Sequence, residues 1–228
     1  MKTEPIRALT LDLDDTLWPI APAIERAEIA LHGWLARHAP ATAAAFDIVA
    51  LRRLRDDVSR TRPEIAHDFS AVRLHSVRLA LRAAGDVEAL ADHAFEVFFA
   101  ARHELECYPE VRAAIERLAR RYPLLALSNG NADIARTALA GWFSGSVSAR
   151  EFGVGKPDPR IFHEACRRLG CSPCEVLHIG DDLELDVHGA RAAGLQACWL
   201  RREPADGDAA HEVVSVSCLK TLAERLGC

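Results

Sequence analysis

Short apolar runs recur along the chain at residues 6–11, 122–127, 146–149, 175–179 and 195–200, each closed by a polar turn. Runs this brief, bounded on both sides, predict buried strands rather than helices. Between the later runs, apolar residues repeat every three or four positions, which is the helical period. This predicts helices over 160–169, 186–193 and 219–226, a short one ending near Trp142, and another opening at Tyr108-Pro109-Glu110-Val111, with Pro near the first turn. Residues 153–159 and 201–208 read as loops, and 213–216 as a further short extended segment.

Residues 18–104 have a different texture. Ile20, Ile24, Ala27, Leu31, Trp34 and Leu35 keep helical spacing over 19–38, and further helices are expected over 43–60, 70–84 and 87–103. Pro63 breaks the pattern at 62–65, because it lacks a donor and restricts its predecessor. No convincing strand falls in this stretch. Strands alternating with helices imply parallel βαβ units with a sheet covered on both faces. The expected fold is therefore α/β, with a Rossmann-like three-layer core at 1–17 and 105–228. The helical block, 18–104, is expected as an insertion over that sheet.

The 228 residues are 50% hydrophobic and 27% charged, ordinary values for a globular chain. A net charge of -5 gives no reason to expect nucleic acid as a partner. The first residues carry no signal-peptide pattern and no run approaches membrane-span length, so a soluble cytoplasmic protein is expected, monomer or homodimer. Seven cysteines, an odd number, suggest reduced thiols. Cys171 and Cys174 form a C-x-x-C, but no second close pair of Cys or His completes a zinc site. A thiol- or zinc-binding module is the weaker alternative they leave open.

Candidate chemistry collects where the strands are expected to end, which is where ligands bind in open parallel sheets. The first run drives into Asp12 and Asp14, and Trp18 follows closely. Two carboxylates at the end of a buried strand repel each other and are costly to desolvate unless a cation or a reaction uses them. The second run ends in Ser128-Asn129-Gly130, a hydroxyl and backbone N–H groups suited to anionic oxygens, ahead of an expected helix N-terminus. A Gly-rich loop delivers Lys156, and the fourth run closes on Asp181, Asp182 and Asp186. Asp12 and Asp181 suit Mg²⁺, which takes oxygen ligands. A cation, a lysine, amide donors and paired carboxylates are the parts that phosphoryl transfer needs.

Asp12-x-Asp14-x-Thr16, Ser128-Asn129-Gly130, Lys156-Pro157 and Gly180-Asp181-Asp182-x-x-x-Asp186 together resemble the four motifs of the haloacid dehalogenase superfamily. The resemblance implies a helical cap of the C1 type and a small-molecule phosphate ester as substrate. It implies Asp12 as a transiently phosphorylated nucleophile and Asp14 as acid/base. Mg²⁺ would be held by Asp12, the Asp14 carbonyl and Asp181. Ser128, Asn129, Gly130 and Lys156 would hold phosphate, with Thr16, Asp182 and Asp186 in support. Dehalogenases of the superfamily lack the second aspartate of the first motif, so Asp14 argues against dehalogenation. Pro63-Glu64-Ile65 with His67-Asp68, Ser128-Asn129-Gly130-Asn131-Ala132 and Gln196-Ala197-Cys198-Trp199 further resemble bacterial phosphatases acting on FMN and on the phosphorylated ribitylaminouracil precursor of riboflavin. A phosphomutase or another sugar-phosphate or phosphoglycolate phosphatase is the alternative on the same core. Trp18, His67 and Arg73 are the candidate substrate contacts; Trp18 would stack on a flat ring.

Overall fold

The computed structural model describes residues 4–202 and 214–228. The loop expected beyond Arg202, and Val213, lie outside the described residues. The chain forms two compact units, Met1–Pro19 with Glu106–Cys228, and Ile20–Leu105.

The first unit is built on a six-stranded, all-parallel sheet. Its strands are β1 (Ala8–Leu11), β2 (Leu124–Ser128), β3 (Ser146–Ser148), β4 (Val176–Gly180), β5 (Gln196–Leu200) and β6 (Ser215–Val216), in the order β3-β2-β1-β4-β5-β6. Every residue of β1, β2 and β4 is buried, as the continuous apolar runs require of a sheet covered on both faces. Ala8, Leu125, Leu127 and Val176 pack with Ile161, Phe162 and Ala165 of the helix Pro159–Leu169. The strand order reverses direction between β1 and β4, the switch point at which such sheets open a crevice.

Several helices differ from the sequence pattern. The segment after β2 holds two single 3₁₀ turns, Ile134–Arg136 and Ala140–Trp142, instead of one helix. Asp133 caps the first of these through the Ala135 N–H, and the Thr137 hydroxyl donates to the Ile134 carbonyl. Such local bonds compete with helix propagation. The helix expected over 186–193 begins earlier, as a π-helical segment Leu183–His188, and continues as Gly189–Ala192. Residues 108–110 form a turn, and the helix proper is Val111–Ala119.

The second unit contains the helices Ile20–His38, Pro40–Ala45, Ile48–Thr61, Phe69–Ala84 and Leu90–Arg102. The single helix expected over 43–60 is split because the Asp47 carboxylate accepts the Ala50 N–H at 2.7 Å and starts a new helix. Ala27, Leu31, Leu35, Val77, Leu81, Ala94 and Phe98 form its apolar core.

Candidate active site

Asp12 follows the last residue of β1, and its N–H donates to the Ile179 carbonyl of β4 at 2.9 Å, so the switch point itself fixes it. Its carboxylate is buried and accepts the Lys156 ammonium at 2.5 Å. Lys156 Nζ also donates to Asp186 Oδ1 at 2.6 Å. Lys156 comes from the loop after β3, where Asn129 grips its backbone from both sides. Asn129 Nδ2 donates to the Lys156 carbonyl at 2.8 Å, and Asn129 Oδ1 accepts the Lys156 N–H at 2.7 Å. The Lys156–Pro157 peptide is cis. Asp186 descends from the π-helical segment, and its Oδ2 accepts the Asp182 N–H at 3.1 Å. Gly180 must lack a side chain, since a Cβ there would lie 2.2 Å from the Asp186 carboxylate.

Electrostatics follow from burial and these contacts. Burial pushes the Asp12 carboxyl well above the usual carboxylate range; Asp186 and Asp181 add to the rise, and Lys156 opposes it. Burial alone would lower Lys156, but Asp12 and Asp186 hold it above the ordinary lysine range. Asp186 is held below the carboxylate range because Lys156 and His178 outweigh its burial. Asp181 is pushed up to about 6, mainly by burial, with Asp186 and Asp15 contributing. Its Oδ1 accepts the Thr16 hydroxyl at 2.8 Å, and its carbonyl accepts the Trp199 indole N–H at 2.8 Å.

Asp14 sits on the turn after Asp12. The Trp18 indole N–H donates to Asp14 Oδ1 at 2.8 Å, and the Asp15 N–H donates to the Trp18 carbonyl at 2.8 Å. Asp15 takes the left-handed region at φ 58°, which Asp tolerates better than most residues. The Asp14 carboxylate lies over Gly130, where a Cβ would come within 2.4 Å of Oδ2. Ser128 is buried, and its Oγ accepts the Gly130 N–H at 2.9 Å. Arg202 clamps the back of the turn through the Asp15 and Thr16 carbonyls and through Glu110, with its guanidinium 3.5 Å above the Tyr108 ring. A cleft of about 300 Å³ beside Asp181 is lined by Asp15, Tyr108, Trp199 and Arg202.

The donor set fits a hard divalent cation. Asp12, Asp181 and Asp186 each offer a carboxylate oxygen, all within 4.8 Å of one another. Oxygen ligands of this kind suit Mg²⁺, and a cation would offset the repulsion between carboxylates taken out of water.

The structure brings together Asp12, Lys156, Asp181 and Asp186, and places Asp14 and Ser128 at Gly130. It corrects other expectations. Trp18 is 0% exposed, so it has no face for a flat ring; it orients Asp14 instead. The Gly130 N–H, expected to face anionic oxygens, is taken by Ser128 Oγ. No α-helix begins directly after Gly130, so the expected helix dipole is absent there. Asp182 does not touch Lys156; it caps the π-helical segment through the Glu184 and Leu185 N–H groups. Arg73 is buried inside the helical unit, 3.5 Å from Glu28 and 3.9 Å above the Phe98 ring. That packing gives it a structural task in place of a substrate contact. His67 is half-buried in the turn before Phe69–Ala84. Cys171 and Cys174 are free thiols, and the acidic trio is the one metal-compatible grouping among the described residues. Among the described residues no helix is long and apolar enough to cross a membrane.

Sequence reasoning missed His178 and Thr10. A single His inside the run 175–179 looks like an ordinary core residue. Only strand register shows that it neighbours Thr10.

A doubly wound parallel sheet with this acidic switch point defines a hydrolase class, and the chain belongs to the haloacid dehalogenase-like hydrolases, whose family model matches residues 6–194. It is 36% identical over 205 residues to the 5-amino-6-(5-phospho-D-ribitylamino)uracil phosphatase YigB of Escherichia coli (strain K12), covering 88% of this chain and 86% of that one. It is 38% identical over 144 residues to a phosphoserine phosphatase of Thermus thermophilus, covering 60% of this chain and 58% of that one. The crystal structure of a 2-haloacid dehalogenase from Pseudomonas syringae pv. Tomato DC3000 superposes with a TM-score of 0.90 at 38% identity, over 97% of this chain and 98% of that one. The chain is thus an enzyme with phosphatase relatives.

Proposed function

We propose that the protein is a Mg²⁺-dependent phosphatase of small phosphate monoesters, and that a ribityl phosphate carrying a flat ring is its substrate. The phosphorylated ribitylaminouracil of the Escherichia coli relative is the first choice and FMN the second. One observation carries the hydrolytic reading: Asp14 is present and held by Trp18 over Gly130, beside the turn that carries Asp12. A halide leaves without a proton, whereas a sugar alkoxide needs one. Asp12 Oδ attacks phosphorus and forms an acyl phosphate as the ester P–O bond breaks. Asp14 gives its proton to the departing alkoxide oxygen. Asp14 then takes a proton from water, whose oxygen attacks the acyl phosphate, freeing inorganic phosphate and restoring Asp12. Lys156 and the Ser128 hydroxyl face the charge that spreads over the phosphoryl oxygens. Mg²⁺ at Asp12 and Asp181, with the Asp14 carbonyl as a further oxygen and Asp186 in support beside them, would supply further charge neutralisation.

The test is a panel of ribitylaminouracil phosphate, FMN, phosphoserine, hexose phosphates, phosphoglycolate and 2-chloropropionate, assayed with Mg²⁺ and ranked by kcat/KM. The proposal expects phosphate release with the two ribityl phosphates at the top. Chloride release, or isomerised hexose phosphate in place of free phosphate, overturns it.

A further inference from the structure

His178 is the one polar side chain in the strand β4, Val-Leu-His-Ile-Gly, and is 1% exposed. An imidazole at that depth needs partners for both nitrogens. Nε2 is 3.0 Å from Asp186 Oδ1, and Nδ1 is 2.9 Å from the Thr10 hydroxyl. Thr10 and His178 are register partners on the adjacent parallel strands β1 and β4. The ring's flank meets the Phe162 ring edge-to-face, with centroids 5.2 Å apart at 85°. A single line of contacts thus runs through Thr10, His178, Asp186, Lys156 and Asp12.

The hydrogen-bond directions can be assigned from valence. An ionised carboxylate has no proton to give, so the hydrogen between His178 and Asp186 belongs to Nε2. The Thr10 hydroxyl can then turn its own proton onto Nδ1. The two bonds together select one neutral tautomer, as a second partner does for metal-bound histidines. Asp186 Oδ1 receives the His178 and Lys156 donors together, while Oδ2 receives the Asp182 N–H. Three donors from three directions leave the carboxylate one orientation. Of the three, Lys156 is the one that also reaches Asp12.

We propose that His178 is a positioning residue, locked as its Nε2–H tautomer by the Thr10 hydroxyl, which fixes Asp186 and through it aims the Lys156 ammonium at Asp12. It touches neither substrate nor the attacking oxygen. The inference rests on the reading of Asp12 as the attacking group, but its first test does not depend on activity.

In the unmodified protein with Mg²⁺ present, nitrogen-15 NMR of labelled histidine identifies which ring nitrogen of His178 carries hydrogen. The proposal expects Nε2 protonated and Nδ1 bare; hydrogen on Nδ1 overturns it, whatever the enzyme turns over. Three variants then test the consequence for the reaction. His178→Phe keeps a ring against Phe162 but removes both nitrogens. It is expected to lower kcat roughly 10- to 100-fold, the usual range for a lost supporting partner, with KM within about twofold of wild type. His178→Gln keeps a donor toward Asp186 and is expected to recover most of that loss. Thr10→Val removes the tautomer lock in nearly the same volume and is expected to fall between them. A merely structural role would lower the melting temperature of all three and leave kcat of the folded fraction alone. Wild-type kcat in His178→Phe, or a His178→Gln no better than His178→Phe, overturns the proposal. A wild-type enzyme that releases no phosphate from any ester removes the phosphatase reading instead, and the NMR result still decides the tautomer.

Discussion

Trp18 shows how burial decides a side chain's role. From the sequence it follows the acidic turn closely and has the flat face that ring recognition wants. In the fold it is 0% exposed and its only polar side-chain atom is aimed at Asp14 Oδ1, 2.8 Å away. A hydrogen bond adds on the order of 1 kcal/mol net, and this one also sets the direction of the acid/base side chain. Trp18→Phe keeps most of the buried ring and deletes the donor. The expected outcome is a roughly 10-fold fall in kcat on poor leaving groups, with a smaller fall on p-nitrophenyl phosphate, whose leaving group needs no proton. Equal losses on both esters would separate Trp18 from acid catalysis. The residues legible without a structure were those at strand ends: Asp12, Asp14, Ser128, Lys156, Asp181 and Asp186. What was not legible is the set of contacts made across sequence gaps. Asn129 reaches the Lys156 backbone and Arg202 reaches the Asp15 and Thr16 carbonyls. No local spacing encodes such contacts.

Elements followed the hydrophobic pattern where burial was continuous and departed from it where side chains bonded locally. β1, β2 and β4 are fully buried, and their apolar runs identified them. The segment after β2 had helix-like spacing, but Asp133 and Thr137 tie their own backbones into 3₁₀ turns. The helix Pro159–Leu169, which follows the Lys156 loop, carries a charge arrangement with a testable pH signature. Glu164 accepts from Arg167 and Arg168, which lowers its pKa from 4.5 to about 2. A carboxylate with a depressed folded-state pKa contributes stability that is present above its unfolded value. That contribution is lost as pH falls through the folded value. The stability difference between wild type and Glu164→Gln is therefore expected to be constant above pH 4.5 and to shrink between pH 4.5 and about 2. Urea titrations across that range measure it; a difference that does not change with pH contradicts the assignment. Because its arginine partners reach into solvent, the effect is expected to be small and weaker in high salt.

At the scale of the whole molecule, the strand order makes the site. β1 and β4 are neighbours at the reversal point, so the residues that follow them, Asp12 and Asp181, face one crevice. β2 brings Ser128 to the same edge, and the loop after β3 brings Lys156. The alternation of strands and helices made this sheet legible in outline. The strandless stretch of the sequence folds as five helices. What no sequence pattern revealed was the depth of the charged trio. Lys156 is held between two buried carboxylates, an arrangement that exists only because the end of β1, the loop before Pro157 and the π-helical segment Leu183–His188 converge.

The catalytic reading turns on Asp12 carrying the phosphoryl group and Asp14 moving the protons. The most direct measurement is a rapid-quench reaction of Asp14→Asn with p-nitrophenyl phosphate and Mg²⁺, followed by peptide mass mapping of acid-quenched protein. The predicted result is a stoichiometric burst of p-nitrophenol, then a stall, with a phosphoryl group on the peptide containing Asp12. Steady turnover at the wild-type rate, or a phosphoryl group on any other residue, would contradict it.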